Sequence, residues 1–343
     1  MNSDWQNFLI RQGAIIEGGV TSHFGDHAAE LNSTAQNTVL CDLSQFGILR
    51  VSGDDAESFL QNLLSNDIRE VSATRAQLSS LNTAKGRMLA TLLIWRDGDE
   101  YLLQLPRVLA EAIRKKLGMY VLRAKVKIAD ASDEIILFGL SGANAQEILN
   151  KQFGALPQLP HGIIGIAQGS VMRISDTRFQ INTTAPHAVA LWKLLSQHVQ
   201  PVGSACWDWF NIRSGIPVIL PQTQEQFVAQ MVNFELIGGV NFKKGCYPGQ
   251  EIVARMQYLG KVKRRMYLAH LESSDAPQAG DELCCANEEE QACGMIVNAA
   301  PAPGGGYDVL ATVQISSRET QTVHWKSLQG EALQFLPLPY SLT

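Results

Sequence analysis

The sequence lacks the features that mark several common classes of protein. No apolar run is long enough to cross a bilayer, and residues 1–5 carry no basic start followed by an apolar stretch. A P-loop, a dinucleotide fingerprint and the nucleophile elbow of a Ser-His-Asp hydrolase are also missing. We therefore expect a cytoplasmic protein with no membrane contact.

Cysteine is scarce, and its spacing does not suit metal binding. The six cysteines form no Cys-x-x-Cys pair, and none stands near a histidine at zinc-ligand spacing. His23 and His27 could share a helix face, but no acidic partner sequence of a zinc enzyme accompanies them. The pattern predicts free thiols in a reducing compartment and no metal site.

Positive charge is not in excess. The 343 residues carry 28 Lys and Arg against 33 Asp and Glu, which gives a net charge of −5. Such a balance argues against a protein that coats nucleic acid through its overall charge, although a local basic patch could still bind it. A chain of this length is expected to bury a large core and to form two or three domains.

Apolar spacing predicts a mixture of helices and hairpins. After Asp54 and Asp55, which can cap a helix, apolar residues recur at helical intervals as far as Leu64. Residues 77–82 and 87–95 flank a Thr-Ala-Lys-Gly turn, as is typical of a β-hairpin. The combination indicates an α+β fold with largely antiparallel sheets.

The chain changes character after about residue 262. Short strands separated by turns follow one another there, and no helical stripe appears among them. The sequence thus predicts three parts: an N-terminal α+β region at 1–130, a second α+β region at 131–260 that can interleave with the first, and a C-terminal β-barrel at 261–343.

The glycine-rich segment at 238–255 holds the candidate reactive group. Cys246 lies three residues before Gly249, close to a helix predicted at 250–257, and Lys243 and Lys244 stand beside it. A helix N-terminus and nearby ammonium groups both stabilise a thiolate. Two interpretations follow: a reactive thiol, or a structural cysteine buried in a glycine-rich turn.

The stretch from Lys243 to Arg265 holds seven basic residues and one acidic residue. Such a segment could bind a polyanion, either the glutamate tail of a folate or the backbone of a tRNA. The alternative is a basic strand that faces only solvent.

Two tryptophans stand close together, at positions 207 and 209. Trp207 and Trp209 cannot share a helix face at this spacing, so we expect one to pack in the core. The other would be free to line a cavity for a planar ring.

At 243–255 the chain reads Lys-Lys-Gly-Cys-Tyr-Pro-Gly-Gln-Glu-Ile-Val-Ala-Arg, which resembles the signature of the YgfZ family. Shorter matches in the expected order, such as Asn82-Thr-Ala-Lys-Gly-Arg and Ile212-Arg-Ser-Gly-Ile-Pro, extend the resemblance over most of the chain. The resemblance implies the fold of the glycine cleavage system T-protein. In that fold, α+β domains with antiparallel sheets surround a central channel that binds tetrahydrofolate, and a β-barrel follows.

The resemblance also implies a role. Proteins of this family support tRNA modification by thiomethylation and keep iron–sulfur enzymes such as the tRNA methylthiotransferase active, which would make Cys246 the reactive thiol. The folate contacts that the resemblance implies are Phe46, Trp207, Lys244, Tyr247, Gln250, Glu251 and Arg255. Phe46 stands where the family usually has tryptophan, so a stacking face is kept and an N–H donor is lost.

The T-protein comparison supplies a rival function, folate-dependent aminomethyl transfer. Aminomethyltransferases carry an acidic pair after the hairpin glycine, and Ala90 and Thr91 occupy those places here. Neither residue can act as a carboxylate base or stabilise an iminium cation. A third function, an RNA-binding module that folate regulates, is disfavoured by the acidic composition. We therefore favour a folate-binding accessory protein that uses a thiol.

Overall fold

The computed structural model describes residues 1–286 and 292–342, and the chain forms two compact units. The first unit contains Met1–Phe59, Ile68–Gln77 and Leu93–Trp207, and the second contains Leu60–Asp67, Leu78–Leu92 and Asp208–Thr343. The chain therefore contributes separate stretches to each unit. The three domain bounds drawn from the sequence stay a prediction.

The helices are mostly short. In chain order the α-helices are α1 (Ser3–Arg11), α2 (His27–Gln36), α3 (Ala56–Gln61), α4 (Arg107–Val121), α5 (Ala145–Phe153), α6 (Ala185–Ser196), α7 (Ser204–Arg213), α8 (Gln250–Tyr258) and α9 (Ile315–Thr320). Within the described ranges, no helix combines the length and the apolar composition that crossing a membrane requires.

The strands make up the larger part of the regular structure. In chain order they are β1 (Ile15–Glu17), β2 (Val20–His23), β3 (Val39–Asp42), β4 (Phe46–Ser52), β5 (Gln77–Asn82), β6 (Met88–Asp97), β7 (Glu100–Pro106), β8 (Lys127–Asp130), β9 (Ile135–Ser141), β10 (Ile163–Ile166), β11 (Gly169–Arg173), β12 (Arg178–Thr184), β13 (Gln200–Val202), β14 (Arg264–Leu271), β15 (Glu282–Cys284), β16 (Gly294–Pro301), β17 (Tyr307–Gln314), β18 (His324–Trp325) and β19 (Gln334–Leu336).

These strands build largely antiparallel sheets. One sheet has the order β10-β11-β12-β9-β3-β13, in which β3 and β13 pair in parallel and the other neighbours are antiparallel. A second sheet has the order β5-β6-β7-β4-β8, and β1 pairs with β2. The C-terminal sheet, β18-β15-β16-β17-β14-β19, curls into a half-barrel. The predicted α+β fold with antiparallel sheets is confirmed, and the C-terminal barrel takes this half-closed form.

An aromatic cluster forms the core of the first unit. Trp5 of α1, Phe138 of β9 and Trp192 of α6 are buried, and their ring centroids lie 5.2–5.4 Å apart. The two contacts of Trp192 are edge-to-face, and such pairs add about 0.5–1.5 kcal/mol each to what area burial supplies. The cluster therefore joins α1 and α6 to the sheet that contains β9.

The core of the second unit holds α8 in place. Val253, on the buried face of α8, packs in a cluster with Phe227, Phe234 and Met266. A second cluster of buried apolar residues lies on one face of the half-barrel sheet. The helix that follows the signature loop is thus attached to the unit through its apolar face.

Trp207 packs in the core of the first unit. Its side chain is 2% exposed, and a Cβ added at Gly139 of β9 would lie 2.3 Å from Cζ3 of its ring. The guanidinium carbon of Arg178 lies 4.2 Å from the ring centroid. The indole therefore occupies the space that a side chain at position 139 would need.

We predict that Gly139→Ala lowers the free energy of unfolding by about 1–3 kcal/mol, because the added methyl group collides with the indole. The matched control is Gly165→Ala on β10 of the same sheet, where no atom lies within 4 Å of the new Cβ. The control should change stability by less than about 0.5 kcal/mol in urea unfolding. Equal stability of the two variants would contradict the packing described for Trp207.

Candidate functional site

A glycine contact connects the signature loop to a hairpin turn. Gly249, with φ of 80°, immediately precedes α8. A Cβ at this position would lie 2.4 Å from the Cα of Gly86 and 2.5 Å from the carbonyl oxygen of Thr83. Both the left-handed backbone and this close approach require glycine. Two segments that resemble the family, the hairpin turn and the cysteine signature, therefore meet here.

A buried lysine anchors the loop two residues before the cysteine. The Lys244 side chain is 6% exposed, and its Nζ donates hydrogen bonds to the carbonyl oxygens of Gln61 at 2.6 Å and Leu64 at 2.5 Å. The same ammonium lies 5.0 Å from the ring centroid of Tyr247. A buried charge is tolerated only when it is paired or hydrogen-bonded, and these partners meet that need.

Tyr247 completes the anchor on the other side of the cysteine. The side chain is buried, and burial raises the pKa of its phenol to about 12. The phenol therefore stays protonated at neutral pH. The backbone carbonyl of Tyr247 accepts from the amide N–H of Gln250 at 3.1 Å, which leads the chain into α8.

Cys246 is exposed, although Lys244 and Tyr247 are buried. The interpretation of Cys246 as a buried structural cysteine is therefore wrong. The loop holds its anchoring side chains inward and leaves the sulfur in contact with solvent. This arrangement gives reagents and partners access to the thiol, while its acidity stays a prediction.

The remaining predicted contacts of the signature lie along α8. Gln250 is half-buried, and its side-chain amide donates to the carbonyl oxygen of Lys244 at 3.4 Å. Glu251 and Arg255 are exposed and, being four residues apart, share one face of the helix. Of this set, Arg255 is the cation that faces solvent.

Phe46 and Trp207, two of the three predicted aromatic contacts, belong to the first unit. Phe46 begins β4 and Trp207 lies on α7, and both side chains are buried. Their role in folate binding stays a prediction. Trp209 is half-buried and donates its indole N–H to Asp308 at 2.8 Å, so it belongs to the second unit.

Sequence reasoning missed a buried amide in the first unit. Gln77 at the start of β5 is buried, and neither its Nε2 nor its Oε1 has a hydrogen-bond partner among the described residues. Buried polar groups almost always find partners, so such a pair of atoms calls for a ligand or a water. A glutamine that begins a predicted strand carries no sequence signal of this kind.

Aminomethyltransferases carry acidic residues at two positions where this chain has none. Ala90 and Thr91 are both buried on β6, and the Thr91 hydroxyl accepts from the amide N–H of Ile219 at 3.2 Å.

Within residues 1–286 and 292–342, no group of three or more His, Cys, Asp or Glu side chains could hold a metal ion.

Comparisons with known proteins agree with this architecture. The model of the GCVT N-terminal domain family matches residues 12–203. Two curated relatives, each a tRNA-modifying protein YgfZ, come from Shigella boydii serotype 4 and Escherichia fergusonii. Each is 30% identical over 305 residues, which cover 88% of this chain and 93% of the relative.

A solved structure confirms the predicted T-protein-like fold. The glycine cleavage system aminomethyltransferase T from Bartonella henselae superposes with a TM-score of 0.79, covering 99% of this chain and 97% of that one. The two sequences are 18% identical, so the similarity shows a shared fold and nothing about activity.

We predict that Lys244→Met lowers the free energy of unfolding by about 2 kcal/mol, because two backbone carbonyls lose their charged donor. The matched control is Lys243→Met at the exposed neighbouring position, which should change stability by less than about 0.5 kcal/mol. Urea unfolding of both variants measures the difference. A Lys244→Met protein as stable as the control would show that the anchor contributes nothing.

Proposed function

This chain belongs to the YgfZ family and carries its GCVT N-terminal domain, and from that membership we propose that it binds a folate and supports tRNA modification through Cys246. The observation that carries the proposal is the exposed sulfur between two buried anchoring residues, Lys244 and Tyr247. A loop built in this way presents a thiol without requiring it for stability. The relatives' name supplies the tRNA context.

The ligand we propose is tetrahydrofolate or a derivative. The GCVT domain family is folate-dependent, and the first unit offers the ring of Phe46 and the unpartnered amide of Gln77. A pterin presents adjacent donors and acceptors on a flat ring, and a glutamine amide can pair with both. The Lys244 ammonium already binds two backbone carbonyls inside the second unit, so it is poorly suited to an anionic glutamate tail.

The thiol would serve iron–sulfur partners. We propose that Cys246 acts in the maintenance of iron–sulfur enzymes such as the tRNA methylthiotransferase, in the cytoplasm. A cysteine sulfur must be accessible if it is to react with a metal centre or a sulfur carrier. The exposure of Cys246 supports this role.

The rival aminomethyl transfer lacks its central group. Ala90 contributes only a methyl group, and the Thr91 hydroxyl is engaged with a backbone amide. Since no carboxylate stands at either place, base catalysis and stabilisation of an iminium cation have no residue there to perform them.

We predict that Cys246→Ser protein fails to restore thiomethylated tRNA in cells that lack the native protein, because a hydroxyl group cannot replace the sulfur. Mass spectrometry of digested tRNA measures the modified nucleoside. The matched control is Cys284→Ser, a half-exposed cysteine of β15, which should restore the modification to the wild-type level.

Tetrahydrofolate titration separates folding and folate binding from the thiol. Wild-type and Cys246→Ser proteins should both show a saturable change in tryptophan fluorescence. Full restoration of tRNA modification by Cys246→Ser would contradict the thiol assignment. A wild-type protein without any saturable change would contradict folate binding.

A further inference from the structure

A basic surface with an exposed aromatic ring continues from the signature loop along α8. We call it the α8 surface and define it as Lys243, Arg255, Tyr258, Leu259, Lys261 and Lys263. All six residues are exposed and belong to the second unit.

The structure divides the basic residues of this segment into those that stabilise the fold and those that face solvent. Lys244 binds two backbone carbonyls, and Arg265 binds the carbonyl oxygen of Gln230 at 2.9 Å and forms an ion pair with Glu235. Arg264 is half-buried and donates to the carbonyl oxygen of Ala292 at 3.4 Å. The four exposed cations that remain are Lys243, Arg255, Lys261 and Lys263.

Tyr258, the last residue of α8, has an exposed aromatic ring and lies in the same segment as these cations. Tyr258 is 68% exposed, and Leu259 next to it is 86% exposed. The ring of Phe242 meets the Tyr258 ring at a centroid distance of 6.0 Å and an angle of 72°. This edge contact favours one orientation of the Tyr258 ring and leaves most of its surface open. The segment that holds the four exposed cations therefore also presents an open aromatic face.

We propose that the α8 surface binds a single-stranded segment of tRNA, with an unpaired base stacked on Tyr258 and phosphates contacted by the four cations. Proteins that bind single-stranded nucleic acid combine a positively charged track with aromatic side chains on which bases stack. Unpaired RNA loops are the usual targets because their bases can leave the helix. The inference rests on the proposed function, which supplies tRNA as the partner.

Composition favours RNA over an acidic protein as the occupant. Three of the four exposed cations are lysines, and lysine is depleted in protein–protein interfaces. Phosphates, by contrast, are contacted by lysine and arginine alike. A flat ring bordered by lysines therefore suits a nucleotide better than a folded protein surface.

The position of the surface relates RNA to the thiol. Tyr258 ends α8, whereas Cys246 lies in the loop before its first residue, and a helix of nine residues is about 13 Å long. A strand that runs along α8 from the stacked base extends toward the end of the helix that carries the signature loop. The α8 surface would thus hold the RNA that the proposed function concerns.

The test is a tRNA-binding assay by fluorescence anisotropy with bulk deacylated tRNA at several salt concentrations. Tyr258→Ala should weaken binding about tenfold, in the range reported for one stacked base. Lys261→Gln combined with Lys263→Gln should reduce the slope of log K against log salt by about 1.4, since each single-strand phosphate contact contributes about 0.7. The matched controls on α4, Tyr120→Ala and the pair Lys115→Gln with Lys116→Gln, should bind as wild type does.

Each of the following results would overturn the inference: unchanged binding by Tyr258→Ala, an unchanged salt slope, or equal competition by a blunt RNA duplex. Wild-type protein that binds no tRNA even at 50 mM salt would also overturn it and would leave an acidic protein as the occupant. In each case the proposed function stands if tetrahydrofolate still binds and tRNA modification still requires Cys246. Loss of those two properties in the wild type would instead remove the proposed function.

Discussion

The buried ammonium of Lys244 is the interaction on which the site depends. It donates to the backbone carbonyls of Gln61, the last residue of α3, and of Leu64, and it lies near the ring of Tyr247. The charge in the interior of the second unit is thus hydrogen-bonded. Because Lys244 and Tyr247 are held inside, the loop can present the sulfur of Cys246 to solvent without losing its shape. The lysine that sequence alone would assign to a ligand thus serves first to shape the loop.

The second constraint is the contact between Gly249 and the hairpin turn that contains Gly86. Only glycine permits the left-handed backbone before α8 together with an approach this close. The hydrogen bonds of Lys244 and the contact of Gly249 fix the two ends of the loop. The helix α8 follows the loop and places Val253 in the core. Arg255 and Tyr258 of that helix belong to the α8 surface. A scaffold shared with an aminomethyltransferase therefore supports a site in which a cysteine, and no carboxylate pair, is the exposed chemical group.

Elements with strong local signals could be predicted from the sequence. The helix after the signature was expected at 250–257 and runs Gln250–Tyr258, and β5 has the predicted bounds. The short α9 was missed because six residues are too few to show a helical stripe. Asp55 was expected to cap α3, but its carboxylate accepts the backbone N–H of Lys125 instead. Local spacing cannot reveal a partner so far along the chain.

The candidate site was predictable in its chemistry but not in its burial. Glycines and the cysteine stood out in the sequence, whereas nothing local shows that Lys244 turns inward and that Lys243 does not. The partners of Lys244 lie 180 and 183 residues earlier in the chain, and the unpartnered amide of Gln77 is likewise a product of tertiary packing.

The four buried cysteines, Cys41, Cys206, Cys285 and Cys293, provide internal references for the exposed one. The most direct measurement is the rate of iodoacetamide labelling of each cysteine in the folded protein, followed by peptide mass spectrometry. We predict that Cys246 is labelled long before the four buried cysteines. Protection of Cys246 to the same degree as Cys293 would contradict it.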